Sequence, residues 1–428
     1  MIVPSVDIRG GSAVQLIGGA EQAIDAGDPR PIAERFGRVG EVAVIDLDAA
    51  LGIGNNSDLI REIVRRVPCR VGGGIRDAKS AIEWLDTGAR KVILGTAARP
   101  EVLRDLPRDR VIAALDAREG EVVTEGWTKR TGRRVEDRIE ELREYVGGFL
   151  VTFVEIEGRM TGLPADRIET LAKLASPAKL TIAGGVRAPD DIAIADRFGA
   201  DAQVGMALYS GAFDLAQGFT ACLTSDRPDG LWPTVVCDEG GRSLGLVYSN
   251  LASLRKAIEL SRGVYYSRSR GGIWIKGEHS GQTQELVRIE TDCDRDCLRF
   301  VVRQAGSGFC HTGEATCFGA LAGLAQTDRT IAARLHGSTP GSYTARLVQE
   351  EGLLRSKLLE EADELARAAT PEEAAHEAAD LVYFALVAAR SRGASLESIE
   401  RELEKRSLRV TRRAGDAKPG TSGMGAIR

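Results

Sequence analysis

The sequence lacks any apolar run of about 18 residues, the length that a membrane-spanning helix requires. Its first residues, MIVPSVDIRGG, lack the basic and apolar segments of a secretory signal peptide and are typical of a strand. Basic residues are not in excess, because 57 Lys and Arg against 62 Asp and Glu give a net charge of −5. We therefore expect a cytoplasmic protein that binds neither membrane nor nucleic acid.

Cysteine is scarce in the first 220 residues, which contain only Cys69. Four of the seven cysteines instead fall between residues 293 and 317. An odd number of cysteines in a chain without a signal peptide argues against a disulfide framework and favours a local metal or catalytic cluster. The length of 428 residues predicts two to four domains.

Residues 1–222 alternate short apolar runs with charged amphipathic stretches, which predicts a (β/α)₈ barrel. The predicted strands are IVPSVDI, VAVIDLDAA, CRVGGGI, KVILGTA, VIAALDA, LVTFVEI, KLTIAGGV and AQVGMA. Three motif pairs recur at nearly one period: Asp7 and Asp116 are 109 residues apart, GGGIR and AGGVR 111, and LGTA and VGMA 110. This repeat predicts two equivalent half-barrels.

Catalytic residues of such a barrel project from the carboxyl ends of its strands, where Asp7 and Asp116 are expected to face each other as general base and general acid. Backbone amides after strands three, four, seven and eight are expected to bind phosphate. These positions are Gly73, Gly74, Gly95, Thr96, Gly184, Gly185 and Gly205. The twofold pattern predicts a substrate with a phosphate at each end.

The motifs VDIRGG, GDP, VIDLDAALG, VGGGIRD and LGTAA resemble phosphoribosylformimino-aminoimidazole carboxamide ribotide isomerase of histidine biosynthesis. The resemblance implies an Amadori rearrangement of a bisphosphorylated aminoaldose, with Asp7 as base and Asp116 as acid. Arg159 stands where that family has a catalytic-site threonine, and Gln15 replaces its usual basic residue. These departures leave two alternatives open: an inactive scaffold barrel in a bifunctional hydrolase, or a barrel that also isomerises phosphoribosylanthranilate.

Residues 230–320 predict a mainly β, α+β domain with two clusters of metal ligands. Alternating carboxylates on one edge of an extended segment suit Mg²⁺, and three thiolates with a fourth position open suit a catalytic Zn²⁺. The predicted magnesium ligands are Asp292, Asp294 and Asp296, and the predicted zinc ligands are Cys293, Cys310 and Cys317.

The strings SRSRGGIWIKGEHSG, TDCDRD and CHTGEATCF resemble phosphoribosyl-AMP cyclohydrolase, which opens the adenine ring of its substrate by hydrolysis. The resemblance implies that His311 shuttles a proton and that the zinc ligands come from two chains, hence a homodimer. Arg268, Arg270 and Lys276 are expected either to hold substrate phosphate or to be exposed charges.

Residues 340–414 predict an all-α domain, and residues 415–428 a disordered tail. Acidic residues at helical spacing beside apolar neighbours predict a Mg²⁺ site for a pyrophosphate. These residues are Glu360, Glu361, Glu364, Glu377 and Asp380. With GSYTARL they resemble phosphoribosyl-ATP pyrophosphohydrolase. Together the three resemblances imply a multifunctional histidine-biosynthesis enzyme acting on phosphoribosyl nucleotides.

Overall fold

The computed structural model describes residues 1–19, 21–124, 126–127, 129–337 and 341–412. The chain divides into two compact units, one formed by residues 1–224 with those from 408 onward, the other by Ser225–Ser407. The second unit includes the region 230–320 and, up to residue 407, the region 340–414, which the sequence assigns to separate domains. Those boundaries and the one at 222 stay predictions, and the predicted tail 415–428 lies outside the described residues.

The first unit has twelve strands among its described residues. They are β1 (Ile2–Arg9), β2 (Ser12–Ile17), β3 (Glu21–Gly27), β4 (Val42–Asp46), β5 (Cys69–Gly72), β6 (Lys91–Leu94), β7 (Val111–Arg118), β8 (Glu121–Thr124), β9 (Lys129–Arg134), β10 (Gly148–Phe153), β11 (Lys179–Ala183) and β12 (Asp201–Val204). Eight of these run parallel in the order β1, β4, β5, β6, β7, β10, β11, β12, and β12 pairs with β1 to close the ring. The predicted (β/α)₈ barrel is confirmed.

Helices follow the barrel strands, as the amphipathic stretches predict. They are α1 (Pro29–Phe36), α2 (Leu47–Leu51), α3 (Ser57–Val64), α4 (Ala78–Thr87), α5 (Pro100–Leu103), α6 (Val135–Leu142), α7 (Ala165–Ala175), α8 (Pro189–Arg197), α9 (Met206–Tyr209) and α10 (Leu215–Thr220). Each longer helix buries one apolar face, as α3 does with Ile60, Ile63 and Val64. The N-cap Asp77 accepts a 2.7 Å hydrogen bond from the backbone of Ser80, which starts α4 directly after a glycine loop.

Two antiparallel hairpins extend the barrel at equivalent places in its two halves. Strand β1 continues into β2 and β3, and β7 continues into β8 and β9. The sequence repeat did not predict these hairpins, because the two hairpin segments have no motif in common and only the motifs at the ends of the barrel strands recur. Both hairpins extend the ends of the strands that contain Asp7 and Asp116, so they place further side chains at that end of the barrel.

The second unit contains a mixed sheet and a helical part. Its strands are β13 (Trp232–Cys237), β14 (Ser243–Ser249), β15 (Val264–Ser267), β16 (Gly272–Ile275), β17 (Gln284–Thr291) and β18 (Leu298–Gln304), in the order β16-β15-β14-β13-β18-β17. Its helices are α11 (Leu251–Leu260), α12 (Gly323–His336), α13 (Tyr343–Gln349), α14 (Leu353–Arg367), α15 (Pro371–Arg390) and α16 (Leu396–Ser407). The predicted order of barrel, sheet and helical region is confirmed.

Helix α12 lies between the two domains that the sequence predicts at residues 230–320 and 340–414. Its buried positions are Ala325, Asp328 and Ile331, so a charged residue interrupts the apolar spacing that would have predicted a helix. Asp328 is buried because Arg390, which follows it by 62 residues, pairs with it at 2.6 Å. No helix within the described residues is long and apolar enough to cross a membrane.

Candidate active sites

Asp7 and Asp116 are each the third residue from the end of a strand, on β1 and β7. These strands are four places apart in the eight-strand ring, so the two carboxyl groups rise from opposite sides of the barrel. Burial raises the pKa of Asp7 to about 6, although Ser5 donates a 2.8 Å hydrogen bond to it. Burial also raises the pKa of Asp116. Asp7 can therefore exchange protons near neutral pH, and the carboxyl group of Asp116 holds its proton to a higher pH than an exposed aspartate does.

A third carboxyl group, which the sequence did not single out, lies with these two. Burial, and then the charges of Asp7 and Asp116, raise the pKa of Glu157 to about 8. Its Oε2 atom is buried and has no hydrogen-bond partner among the described residues. It lies in the segment EIEGRMTG after the sixth barrel strand, two residues before Arg159, and the sequence alone does not distinguish it from the neighbouring Glu155. Arg159 is exposed and does not line the cavity beside Asp7.

Trp127 is another residue that the sequence did not single out. Its side chain hydrogen-bonds to the carboxyl group of Asp116, as does that of Thr152, and both bonds act against the burial that raises the pKa of Asp116. Trp127 follows β8 and has a positive φ of 69°. Its ring lies against Gly19, where a Cβ atom would come within 2.2 Å of a ring carbon. The second hairpin thus brings an aromatic side chain to the carboxyl group of Asp116.

The predicted phosphate-binding glycines adopt matching conformations in the two halves. Gly73 and Gly74 have φ values of +92° and +71°, and Gly184 and Gly185 have +87° and +84°. A Cβ atom at Gly73 would lie 2.2 Å from the carbonyl oxygen of Asp46, so glycine is required there. The structure thus places the two motifs predicted from the repeat in the same turn conformation.

The other predicted phosphate positions differ between the halves. Gly95 and Thr96 follow β6 and are exposed. Gly205 follows β12, and a Cβ atom there would lie 2.3 Å from Oε1 of Gln15, which is buried and donates to the carbonyl of Val14 at 2.8 Å. Gln15 therefore packs onto one of the two equivalent loops. The cavity beside Asp7, about 410 Å³ including space open to solvent, is lined by Gln15, Glu157, Gly184 and Gly205 among others.

The structure brings together two of the three predicted zinc ligands. Cys310 and Cys317 lie within hydrogen-bonding reach of each other, in the loop after β18. Thr312 donates to the Sγ atom of Cys310 at 3.1 Å and lowers the pKa of that thiol. Cys293 lies in the exposed loop between β17 and β18 and does not join the other two thiols within 4.8 Å. Two soft ligands of this chain therefore fit a zinc ion, and the third is apart from them.

Of the remaining residues predicted for this site, Lys276 and His311 lie near the thiols. Lys276 is buried, and burial lowers its pKa, opposed by the nearby charges of Cys317 and Cys310. The ring Nδ1 of His311 lies 3.9 Å from the Sγ of Cys310. Arg268 is exposed and stacks over the ring of Tyr248 at 3.9 Å, and Arg270 is exposed.

The three aspartates of the DCDRD segment form a compact cluster. One oxygen of each of Asp292, Asp294 and Asp296 lies within 4.8 Å of the others. The charge of Asp294 is the largest cause that raises the pKa of Asp296, followed by burial and the charge of Asp292. Mutual repulsion of this kind favours a bound cation, and oxygen ligands fit Mg²⁺.

The helical region presents two adjoining acidic groups on α14 and α15. Glu360, Glu361 and Glu364 form one group, and Glu377 and Asp380 form the other with His376, which the sequence did not predict. Glu361 is buried, whereas Glu360 and Glu364 are exposed. Burial, and then the charge of Glu377, raise the pKa of Glu364, so the two helices bring their carboxylates close.

Lysine already neutralises part of the first group. Lys357 lies 2.9 Å from Glu360 and 2.8 Å from Glu361, and these two bonds raise its pKa. The oxygen-rich donor set fits a magnesium ion, which would share these carboxylates with Lys357.

Three family models match consecutive parts of the chain. They are Histidine biosynthesis protein at residues 1–214, Phosphoribosyl-AMP cyclohydrolase at residues 245–319 and Phosphoribosyl-ATP pyrophosphohydrolase at residues 324–407. The third match begins within α12, before the domain that the sequence predicts at residues 340–414.

Several curated proteins are similar to parts of the chain. A histidine biosynthesis trifunctional protein of Komagataella pastoris is 52% identical over 208 residues, 49% of this chain and 25% of that protein. A histidine biosynthesis bifunctional protein of Schizosaccharomyces pombe is 49% identical over 194 residues, 45% of this chain and 46% of that protein. The chain thus spans about a quarter of the trifunctional relative's length.

A bacterial relative is matched over nearly its whole length. The 1-(5-phosphoribosyl)-5-((5-phosphoribosylamino)methylideneamino) imidazole-4-carboxamide isomerase of Gemmatimonas aurantiaca is 39% identical over 226 residues, 50% of this chain and 94% of that protein. The first family model spans 214 of 428 residues, half of the chain. The closed eight-stranded barrel, followed by a sheet and a helical region, agrees with these matches, and the chain belongs to the histidine biosynthesis protein family.

Proposed function

We propose that the chain is a multifunctional enzyme with three activities: phosphoribosyl-ATP pyrophosphohydrolase, phosphoribosyl-AMP cyclohydrolase and aminoaldose–aminoketose isomerase. The observation that carries this proposal is the succession of three family matches, each over a region with its own cluster of ionisable residues. The substrates would be phosphoribosyl nucleotides. The product of each hydrolase would be the substrate of the next step, and we place the protein in the cytoplasm.

The barrel would hold a bisphosphorylated aminoaldose between its two glycine loops, with one phosphate on the amides around Gly73 and the other on those around Gly184. Asp116, whose pKa burial raises, is suited to give a proton to the ring oxygen of the sugar. Asp7 is ionised above a pH of about 6 and is suited to take the proton from the second carbon. Trp127 would orient the carboxyl group of Asp116.

The sheet region would perform the cyclohydrolase reaction. Cys310 and Cys317 would hold zinc, and Cys293 of a second copy of the chain would supply the third thiolate, because it lies apart from them within one chain. A bound zinc would supply the Lewis acidity that makes water a nucleophile near neutral pH. His311, beside Cys310, is placed to move a proton, and Asp292, Asp294 and Asp296 would hold magnesium.

The helical region would remove pyrophosphate from phosphoribosyl-ATP. The carboxylates of α14 and α15 would hold magnesium, which neutralises the charge of the pyrophosphate when bound. Glu361 is buried and is held in place by Lys357, so it would fix the position of the metal.

The test uses the full chain and three separate assays, one for each substrate. We expect Asp7→Asn to remove only the isomerisation, Cys310→Ala only the cyclohydrolase activity and Glu361→Gln only the pyrophosphohydrolase activity. Each variant is thereby the control for the other two. A folded wild-type chain that performs both hydrolyses and no isomerisation would instead establish a bifunctional enzyme with a scaffold barrel, which the packing of Gln15 onto Gly205 favours as the second candidate.

A further inference from the structure

Glu157 has the environment of a proton-carrying group. It directly follows the helical turn Val154–Ile156, which comes after β10, and its backbone carbonyl accepts a 3.2 Å hydrogen bond from the N–H of Gly18. Its Oε2 atom is buried without a partner among the described residues. A Cβ atom at Gly184 would lie 2.7 Å from that oxygen, so the absence of a side chain there gives the carboxyl group its space.

The groups that face Glu157 are the two aspartates of the site. Asp7 is on β1 and Asp116 on β7, and the charges of both oppose the ionisation of Glu157 after the larger effect of burial. Glu157 and Asp7 line the same cavity, together with Gln15, whose amide does not titrate in this range. A carboxyl group between two others that ionise more readily is a reservoir for one proton.

The isomerisation proposed above, on which this inference rests, has to move one proton from the substrate back to Asp116. Asp116 gives a proton to the ring oxygen as the bond from that oxygen to the first carbon breaks. Asp7 takes the proton of the second carbon and delivers it to the first carbon. The hydroxyl group of the second carbon then loses a proton as the ketone forms. That last proton has to reach Asp116, which gave up its own proton in the first step, and a buried carboxyl group of the same site can carry it there.

We propose that Glu157 is a third acid–base residue of the barrel, which takes the hydroxyl proton of the substrate and returns its own proton to Asp116. One proton enters the carboxyl group of Glu157 and one leaves it, so the enzyme returns to its starting state and substrate and product remain isomers. The transfer runs directly or through one water molecule, the reach of general acid–base groups.

The experiment measures kcat and KM of the full chain for the bisphosphorylated aminoaldose between pH 6 and 9.5, in the wild type, Glu157→Gln and Glu155→Gln. Glu155 is the matched control, an exposed glutamate two residues away that lies 4.0 Å from Arg167. We expect Glu157→Gln to lower kcat about 100-fold with little change in KM. We also expect the wild type and Glu155→Gln, but not Glu157→Gln, to lose activity as pH rises through about 8, where Glu157 gives up its proton.

A second measurement does not depend on a variant that folds. Carbon-13 NMR of the wild-type chain, labelled at its glutamate carboxyl groups, is expected to reveal one group that titrates near pH 8. A Glu157 carboxyl group that titrates at its ordinary pH, or an unchanged kcat and pH profile in Glu157→Gln, overturns the relay while the isomerase proposal stands. A wild-type chain without isomerase activity overturns both.

Discussion

Thr312 donates a hydrogen bond of 3.1 Å from its hydroxyl group to the Sγ atom of Cys310. This bond stabilises the thiolate and is the largest cause that lowers the pKa of Cys310, followed by the backbone N–H of Thr312. The neighbouring Cys317 differs, because burial and then the charge of Cys310 raise its pKa. Cys310 is therefore the thiol of the pair that loses its proton more readily, and the thiolate is the form that would bind metal.

Thr312→Val is expected to raise the pKa of Cys310 and to weaken zinc binding about tenfold, since it removes the hydrogen bond to a ligand. Competition with a chelator at pH 7 gives the zinc affinity, and the alkylation rate of Cys310 against pH, followed by peptide mass spectrometry, gives the pKa. The control is Thr291→Val, which removes a 3.2 Å hydrogen bond to the carbonyl of Cys297 in the same unit. An alkylation midpoint that does not move in Thr312→Val contradicts this role.

The separation of Cys293 from the other two thiols predicts a shared site between two copies of the chain. Cys293→Ala and Cys310→Ala are each expected to abolish zinc binding at this site and the cyclohydrolase activity. A mixture of the two variants, unfolded and refolded together, is expected to regain about a quarter of the wild-type activity. Half of the dimers are then mixed, and each of those contains one intact site of two.

Sedimentation or light scattering of the refolded mixture is also expected to show a dimer. If the mixture stays inactive although both variants refold and dimerise, the three thiols do not meet between chains. Full zinc binding by Cys293→Ala excludes this thiol as a ligand altogether.

The barrel could be predicted from the sequence because the alternation of strands and helices, and the repeat of its two halves, are visible in the amino-acid sequence. Each strand is a short apolar run, and the motifs around Asp7 and Asp116 repeat after about 110 residues. Helix α12 could not be predicted in the same way. Its buried Asp328 breaks the apolar spacing, and the reason for that aspartate is Arg390, a residue that is distant in sequence and near only after folding.

The same limit applies to the barrel site. Asp7 and Asp116 are recognisable because each ends an apolar strand. Trp127 and Glu157 lie in segments between regular elements, where no periodicity reveals the direction of a side chain. Their relation to the aspartates depends on the hairpin β8–β9 and on closure of the barrel, which bring together residues that no local pattern connects.

Ser5→Ala is expected to move the acid side of the pH profile of isomerisation to higher pH. The hydrogen bond from Ser5 lowers the pKa of Asp7 against the burial that raises it to about 6, so its loss leaves the base protonated over a wider range. Activity relative to wild type is then reduced near pH 6 and restored at pH 8. Steady-state kcat/KM at both pH values checks this, and an equal reduction at pH 6 and pH 8 contradicts it.

Glu157→Gln is expected to stabilise the barrel in alkaline solution more than in acid. The folded-state pKa of Glu157 is raised from 4.5 to about 8, so the wild type loses stability as pH rises from 4.5 to about 8 and no further above it. The glutamine does not ionise and escapes this loss, which is on the order of 5 kcal/mol.

Differential scanning calorimetry of the full chain at pH 5 and pH 9 measures this effect in the wild type, Glu157→Gln and the control Glu155→Gln. The melting temperature of Glu157→Gln minus that of the wild type should be larger at pH 9. The same difference at both pH values means that Glu157 is ionised in the folded protein and contradicts the shift.

Lys357→Met is expected to make the helical region depend on a divalent cation. Lys357 contacts Glu360 at 2.9 Å and the buried Glu361 at 2.8 Å, so its removal leaves three crowded carboxylates without their cation. We expect a lower melting temperature in EDTA and a larger rise on addition of Mg²⁺ than in the wild type, because the metal no longer competes with the lysine. Isothermal titration with Mn²⁺ should give an affinity that is about tenfold higher.

Lys256→Met, which removes a 3.0 Å contact with Glu259 on the exposed face of α11, is the matched control. A metal response of Lys357→Met equal to that of Lys256→Met means that the lysine and the cation occupy different carboxylates, and the magnesium site would then have to be sought on α15 around Glu377 and Asp380.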